Sequence, residues 1–142
     1  MTTAGFYNAY FYAIKFEMRS NCLNILMVDD SKLVIQRLFE ILIELDCVNS
    51  LTGANSYHQA TTILANTPID VVLMDIQIPG KNGIELLEFI KENYPDIITV
   101  MLTNQVNKSY KSLCKAMGCD HYIDKSSEFE SIAGLLESYV PV

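Results

Sequence analysis

Short apolar runs alternate with amphipathic stretches along this chain, and this alternation is the feature that most constrains its fold. Each run has the length of a single strand, and the stretches between runs repeat apolar residues at helical spacing. The predicted strands are residues 23–28, 48–52, 69–74, 97–102 and 121–123. Strands that alternate with helices are typical of a parallel sheet covered by helices on both faces, so we predict a doubly wound α/β domain.

The first predicted helix begins near Asp30 or Ser31, either of which is a suitable N-cap. Its apolar residues form one row that faces the sheet, and a second row, Ile35, Phe39 and Ile43, is expected to turn partly away from it. The first row consists of Val34, Leu38, Ile41, Leu42 and Leu45. Further helices are predicted at residues 57–66, 83–94 and 108–117, and around Phe129, Ile132, Leu136 and Tyr139.

Length and charge narrow the class of protein. A chain of 142 residues that is 50% hydrophobic can bury the core of one domain, which argues against disorder. Its formal charge of −7 does not favour direct nucleic-acid binding, which usually needs a basic face. No run approaches the ~20 apolar residues that span a bilayer. We therefore expect a cytoplasmic protein without a membrane segment.

Residues 1–22 are predicted to form an aromatic-rich N-terminal extension, and residues 23–142 the main domain. Tyr7, Phe11, Ile14 and Met18 recur at helical spacing in the extension. One hypothesis is that the extension packs on the second apolar row of the first helix, in its own chain or across a homodimer. A tail without fixed contacts, or an upstream start codon with Met18 as the natural start, remains the alternative.

Polar residues follow the strands where a parallel sheet has its ligand site, beyond the carboxyl ends of the strands. They are Asp29 and Asp30, Asp75, Thr103 and Lys125. We expect the three carboxylates within a few Å of one another, where each pair of charges repels by roughly 3 kcal/mol at an effective dielectric of ~20. Such a cluster favours a bound hard cation, and a shallow oxygen site suits Mg²⁺.

One divalent cation, one lysine and one hydroxyl are suited to stabilise a phosphoryl group in transfer, and a carboxylate can act as the nucleophile. Taken singly, each residue has an ordinary structural interpretation. The Asp29-Asp30 pair could cap a helix, and Lys125 could be a solvated charge. The prediction depends on four separate strand ends that all carry the required residue type.

Over about residues 24–140 the sequence resembles the response-regulator receivers of two-component signalling, including stand-alone receivers of the chemotaxis type. The motifs that carry the resemblance are Asp29-Asp30, the segment from Asp75 through Pro79-Gly80 to Gly83, Thr103, and Tyr122 to Lys125. The resemblance implies that residues 23–142 form a receiver domain. It also implies a flavodoxin-like fold with five parallel strands in the order 2-1-3-4-5 and helices on both faces.

The resemblance further assigns the acceptor and the metal ligands. Asp75 would be the phosphorylated residue, and Pro79 and Gly83 would shape the loop beyond it. Asp30 would bind Mg²⁺ directly, and Asp29 directly or through water. Asp75 and the main-chain carbonyl of Gln77 would complete the set of protein ligands.

The remaining implied roles concern transfer and signalling. Thr103 and Lys125 would each contact a phosphoryl oxygen, and Tyr122 would follow Thr103 inward as the aromatic switch. A histidine kinase or histidine phosphotransfer protein would be the donor, and an unknown protein the target. The chain would catalyse only its own phosphorylation and dephosphorylation, and so would not be an enzyme in the usual sense.

Two positions depart from the family pattern. Asn104 stands where a small residue usually follows the threonine, and Ser126 stands where proline usually follows the lysine. We expect Lys125 to keep its place despite this second change. Gln77 and Gln105 occupy positions that the resemblance links to the lifetime of the phosphoryl group, and we expect an altered lifetime of either sign.

The same residues bear on three alternative functions. A receiver that is part of a longer regulator, with a DNA-binding or enzymatic output domain, stays open. A haloacid-dehalogenase-like phosphatase is disfavoured, because that fold needs Asp-x-Asp at its first strand and this chain has Asp29-Asp30. A receiver that signals without phosphate is also disfavoured, because every acidic-pocket residue is present.

Overall fold

The computed structural model describes residues 22–104 and 108–139, in which strands and helices alternate. The strands are β1 (Leu23–Val28), β2 (Val48–Ala54), β3 (Val71–Met74), β4 (Ile98–Thr103) and β5 (His121–Asp124). The helices are α1 (Lys32–Leu42), α2 (Tyr57–Asn66), α3 (Gly83–Asn93), α4 (Lys108–Ala116) and α5 (Ser131–Glu137).

The strands form a parallel sheet in the order β2-β1-β3-β4-β5, which confirms the predicted fold class and strand order. Strand ends shift by one or two residues from the prediction. Strand β3 begins at Val71 and not at residue 69, and the carboxylate of Asp70 just before it accepts a hydrogen bond of 2.7 Å from the main-chain N–H of Asn24.

Each face of the sheet has its own hydrophobic core, as the alternation of side chains along a strand requires. On one face Ile25 and Met27 pack with α1 and α5. On the other face Leu26 and Val28 pack with α2, α3 and α4. The helices are therefore divided between both faces, as predicted.

Helix α1 begins after Ser31, whose hydroxyl accepts a hydrogen bond of 3.3 Å from the N–H of Val34. The prediction of its buried face was partly wrong. Ile35, assigned to the outward row, is fully buried with Leu38 and Leu42, whereas Val34 is half-buried. Phe39 and Ile43 are half-buried, so a partner for the second row would contact only these two of its three members.

The hypothesis about the N-terminal extension falls on residues 1–21, and that about Gln105 on residues 105–107, all outside the described ranges. In the part of the chain that is described, no helix is both long enough and apolar enough to cross a membrane.

Candidate functional site

The carboxyl ends of β1, β3 and β5 place three charged residues at one edge of the sheet. Main-chain hydrogen bonds extend the strand ladder through each of them. The N–H of Asp29 donates to Ala54 of β2, that of Asp75 to Val28 of β1, and that of Lys125 to Thr103 of β4, each at 3.0 Å. Because the ladder fixes their main chains, the three side chains converge as predicted.

The ammonium of Lys125 lies between the two carboxylates. Its Nζ donates to Asp29 Oδ2 at 2.6 Å and to Asp75 Oδ2 at 3.0 Å. All three side chains are shielded from solvent, with exposed fractions of 9% for Lys125, 4% for Asp29 and 13% for Asp75. Charges shielded in this way interact far more strongly than an ion pair at the surface.

The second oxygen of each carboxylate is held by the main chain. Asp29 Oδ1 accepts from the N–H of Ser31 at 2.9 Å, and Asp75 Oδ1 accepts from the N–H of Ile76 at 2.7 Å. The N–H of Gln77 is a more distant donor to the same Asp75 oxygen, at 3.5 Å. These contacts fix the direction in which each carboxylate points.

Burial and charge act against each other on the protonation of this group. Burial raises the pKa of Asp29 above its usual value, although the hydrogen bond and charge of Lys125 work to lower it. Burial works to lower the pKa of Lys125, but its hydrogen bonds and attraction to Asp29 and Asp75 outweigh this, and the pKa rises. We assign Lys125 and Asp29 as an ionised pair, because a buried ammonium requires a carboxylate partner.

Asp30 does not converge with the other two acids. It is exposed, as expected for a residue that points opposite to Asp29 where the strand ends. Across the described ranges, no group of three or more His, Cys, Asp or Glu side chains is arranged to hold a metal ion. The expected cluster of three carboxylates is therefore, in this structure, a pair of carboxylates joined by Lys125 with Asp30 at the rim.

Oxygen atoms nevertheless dominate the chemistry of this edge. The carboxylates of Asp29 and Asp75 carry two negative charges against one positive charge on Lys125, and Asp30 adds a third negative charge at the surface. The exposed Gln77 follows within the same loop. This donor set fits a hard divalent cation such as Mg²⁺, which takes carboxylate and carbonyl oxygens and keeps several waters.

Thr103 and Tyr122 lie on neighbouring strands next to this group. Thr103 ends β4 and is 1% exposed, and Tyr122 is half-buried on β5, opposite Met101. Burial raises the pKa of the Tyr122 hydroxyl, and the neighbouring Cys114, Asp124 and Asp75 act in the same direction. The hydroxyl therefore stays protonated at neutral pH and can donate a hydrogen bond. The coupled switch of these two residues stays a prediction.

Gly83 holds the loop beyond Asp75 close to the strand. A Cβ at this position would lie 2.0 Å from the carbonyl oxygen of Asp75, and the N–H of Gly83 donates to Ile76 at 2.6 Å. Only a residue without a side chain allows this approach. The prediction that Gly83 shapes the loop is confirmed for this contact.

Sequence reasoning missed two hydrogen-bonded structures near the site. Asn82 and Glu85 form a capping box at the start of α3. Asp124 and Ser126 form a turn around Lys125, in which Asp124 Oδ1 accepts from both the N–H and the hydroxyl of Ser126. The Asn-x-x-Glu and Asp-x-Ser spacings were the signals that could have identified them.

A groove of about 560 Å³ opens beside the site, between α1 and the loop after β5. Leu33 and Arg37 of α1 line one side, and Asn104, Lys125 and Phe129 line the other. Leu33 is 75% exposed and offers an apolar side chain at the rim of the groove. The groove therefore provides an accessible surface that reaches Lys125.

Comparison with known proteins identifies the family. A sequence model of the response regulator receiver domain matches residues 25–137. The transcriptional regulatory protein MalR of Bacillus subtilis (strain 168) is 31% identical over 119 residues, which make up 82% of this chain and 50% of MalR. Protein PilG of Pseudomonas aeruginosa is 26% identical over 127 residues, which make up 88% of this chain and 93% of PilG.

A solved structure agrees with the family match. The signal receiver domain of an HD domain-containing protein from Pseudomonas fluorescens Pf-5 superimposes with a TM-score of 0.76 at 25% sequence identity, covering 83% of this chain and 94% of that one. The chain spans half the length of MalR and most of PilG. Receivers are signalling domains that interact with histidine kinases and downstream targets and generally bind Mg²⁺. The chain belongs to the response regulator receiver family of two-component signalling.

Proposed function

We propose that this receiver accepts a phosphoryl group on the carboxylate of Asp75 from a phosphohistidine donor, with the help of Mg²⁺, and thereby switches a partner-binding surface. The observation that carries the proposal is the contact of one ammonium, that of Lys125, with Asp75 at 3.0 Å and Asp29 at 2.6 Å. This contact brings the two carboxylates and one cation together at the sheet edge, which supports Asp75 as the nucleophile and Asp29 as a metal ligand.

In the proposed reaction a carboxylate oxygen of Asp75 attacks the phosphorus of the donor. An O–P bond forms and the P–N bond breaks, with its electron pair returning to the imidazole nitrogen. Lys125 binds one phosphoryl oxygen through its ammonium, and the hydroxyl of Thr103 donates to another. Tyr122 follows Thr103 inward and changes the surface near β5.

The proposed metal ligands are Asp29, Asp30, Asp75 and the main-chain carbonyl of Gln77. When bound, Mg²⁺ offsets the negative charge that the carboxylates and the phosphoryl oxygens bring together. The support is the donor chemistry of this edge, in which two carboxylates share a single lysine and a third carboxylate, that of Asp30, lies at the rim. Asp30 lies at the exposed rim, and its proposed role requires its carboxylate to turn toward the ion when Mg²⁺ binds.

The proposed donor is a histidine kinase or a histidine phosphotransfer protein, and the groove beside Lys125 is open to it. Leu33, exposed at the rim of that groove, offers an apolar contact. The downstream target is a protein, because a charge of −7 does not favour direct contact with nucleic acid. We propose a cytoplasmic location without membrane attachment, and a homodimer remains open.

Residues 23–142 form the proposed receiver domain and residues 1–22 an extension ahead of it; β1 begins at Leu23. A second candidate is a receiver within a longer regulator that carries a DNA-binding or enzymatic output domain. The observation in its favour is the match to MalR, since this chain spans 50% of that protein.

Intact mass after incubation with acetyl phosphate and Mg²⁺ tests the proposal. We expect a gain of ~80 Da, one phosphoryl group, that requires Mg²⁺ and is absent in Asp75→Ala. Asp96→Asn is the matched control, because Asp96 is an exposed acid just before β4, at the opposite end of the sheet. An adduct that persists in Asp75→Ala would overturn the assignment of the acceptor.

A further inference from the structure

Lys125 must be held in place more than its neighbours, because its long, flexible side chain contacts two carboxylates from a loop. Its N–H is fixed by the hydrogen bond to Thr103 at the end of β4, at 3.0 Å. The next residue, Ser126, is exposed and has left the sheet. The ladder therefore holds the main chain of Lys125 on one side only, and the other side needs a separate restraint.

A side-chain turn supplies that restraint. Asp124 Oδ1 accepts a hydrogen bond of 2.8 Å from the N–H of Ser126 and one of 2.6 Å from its hydroxyl. Both bonds span Lys125, which lies between their partners. One carboxylate oxygen thus closes the chain around the lysine, as the side chain of an Asx turn does.

Glu128 closes the same loop a second time. Its N–H donates to the carbonyl of Asp124 at 2.8 Å, and its carboxylate accepts from the N–H of Asp124 at 3.1 Å. Asp124 is therefore bonded through its side chain to Ser126, and through its N–H and its carbonyl to Glu128. The main chain on both sides of the lysine is held.

The far end of the loop is attached to α1. Phe129 is 6% exposed within the core, and the guanidinium of Arg37 lies 4.4 Å from the centre of its ring. Arg37 also pairs with Glu130 at 3.6 Å. The segment between β5 and α5 is thus anchored at both ends, and the turn at Asp124 fixes the part that carries Lys125.

We propose that Asp124 and Ser126 are positioning residues, which direct the Lys125 ammonium to the phosphoryl site in place of the proline that usually follows this lysine in receivers. The proposal rests on the proposed function, because it gives Lys125 its role in phosphoryl transfer. Hydrogen bonds from Ser126 also lower the pKa of Asp124, so the carboxylate stays ionised and able to accept both bonds at neutral pH. The restraint acts on the lysine before the donor arrives, which reduces the loss of freedom during transfer.

The test compares three variants of the full chain. Asp124→Ala removes the acceptor, Asp124→Asn keeps an oxygen at the same place, and Ser126→Ala removes the hydroxyl alone. The maximal phosphorylation rate at saturating acetyl phosphate and Mg²⁺ is expected to fall about tenfold in Asp124→Ala, and less in Ser126→Ala. Asp124→Asn is expected to restore most of the rate. Ser112→Ala, which removes an exposed serine hydroxyl on α4, is the control.

A second readout separates positioning from general loss of structure. In metal-free wild type the Lys125 ammonium, bonded to Asp29 and Asp75, is expected to give a slowly exchanging NMR signal. That signal should be lost in Asp124→Ala, while Mg²⁺ binding is retained. Asp124→Asn should retain the signal.

The outcomes distinguish this inference from the proposed function. Full rate and a retained ammonium signal in folded Asp124→Ala would overturn the positioning role, while the phosphoryl acceptor would stand. No Mg²⁺-dependent adduct on wild-type Asp75 would overturn the proposed function itself. If Asp124→Ala does not fold, Ser126→Ala carries the test, and an unchanged rate together with an unchanged signal in that variant contradicts the inference.

Discussion

Lys125 donates to Asp29 across 2.6 Å, although the two residues are 96 positions apart in the sequence. The contact joins the loop after the last strand to the end of the first. The same ammonium holds Asp75, so one side chain neutralises part of the charge of two nearly buried carboxylates. Its removal is expected to affect both folding and phosphoryl transfer, and the two effects can be measured separately.

Lys125→Met should lower the free energy of unfolding by about 3 kcal/mol in the presence of a metal chelator, because two shielded carboxylates lose their partner. Added Mg²⁺ should raise the melting temperature of the variant more than that of wild type, since the ion then supplies the missing positive charge. Urea unfolding with and without Mg²⁺ measures both effects.

Lys91→Met is the control for this prediction. Lys91 pairs with Asp120 at 3.5 Å, and that carboxylate is 39% exposed, so the loss should cost less than about 1 kcal/mol. Equal losses of unfolding free energy in the two variants would contradict the prediction that the buried contacts of Lys125 stabilise the fold more than a surface ion pair does.

Gly83→Ala should destabilise the domain by about 3 kcal/mol, because its Cβ would lie 2.0 Å from the carbonyl oxygen of Asp75. The rate of phosphorylation per folded molecule should also fall, since relief of the clash moves the acceptor. Gly134→Ala is the matched control, because outside the nearby backbone of α5 itself no atom lies within 4 Å of its Cβ position. There the change should stabilise the helix by up to about 1 kcal/mol. The same response at both glycines would show that the approach to Asp75 is unimportant.

Asp30→Asn should weaken Mg²⁺ binding about tenfold and leave the free energy of unfolding within about 0.5 kcal/mol of wild type. The reason is that Asp30 is exposed, whereas the buried pair does not depend on it. Calorimetric titration with Mg²⁺ and urea unfolding under chelation measure the two quantities. A strong loss of stability without a change in Mg²⁺ affinity would contradict the assignment of Asp30 as a metal ligand. The control variant Asp96→Asn should change neither quantity.

Stability should fall in alkaline solution because of Cys114. This thiol has no exposed surface, and burial raises its pKa from 9.0 to about 11. Between these values the unfolded chain has lost a proton that the folded chain keeps, so the free energy of unfolding decreases as the pH rises. The loss across this window is about 2–3 kcal/mol.

Urea unfolding at a series of pH values from about 8 to 11 measures this decrease. Other groups titrate in the same range, so the quantity to compare is the slope of wild type against that of Cys114→Ala. A shallower slope for the variant is expected. Identical slopes would show that Cys114 does not titrate with unfolding.

The convergence of Asp29, Asp75 and Lys125 could be predicted from the sequence, whereas the strand order came from the resemblance to receivers. Apolar runs identify strands, and the topology of a parallel sheet then places their carboxyl ends at one edge. The residues that follow the apolar runs can be identified without any knowledge of side-chain conformation. For this reason the sequence predicts which residues form the site, but not which of their atoms are in contact.

The contacts depend on information that periodicity does not contain. Helical spacing identifies the apolar stripe of α1, but Val34 and Ile35 flank the same stripe, and only the packed sheet decides that Ile35 is the deeper one. The alternation of Asp29 inward and Asp30 outward likewise depends on where β1 ends. The turn of Asp124 around Lys125 is a local hydrogen-bond arrangement that an Asp-x-Ser spacing suggests but does not impose.

The distance along the chain between Lys125 and Asp29 also bears on how the molecule acquires its activity. No single βα unit contains both residues, and a partly folded chain that has formed β1 to β4 still lacks the ammonium. Contacts of such long sequence separation form late, after the loop-closure entropy of the intervening units has been overcome. With the role proposed for Lys125, full competence for phosphoryl transfer requires the completed sheet, and a nascent or misassembled receiver lacks the ammonium that transfer is proposed to use.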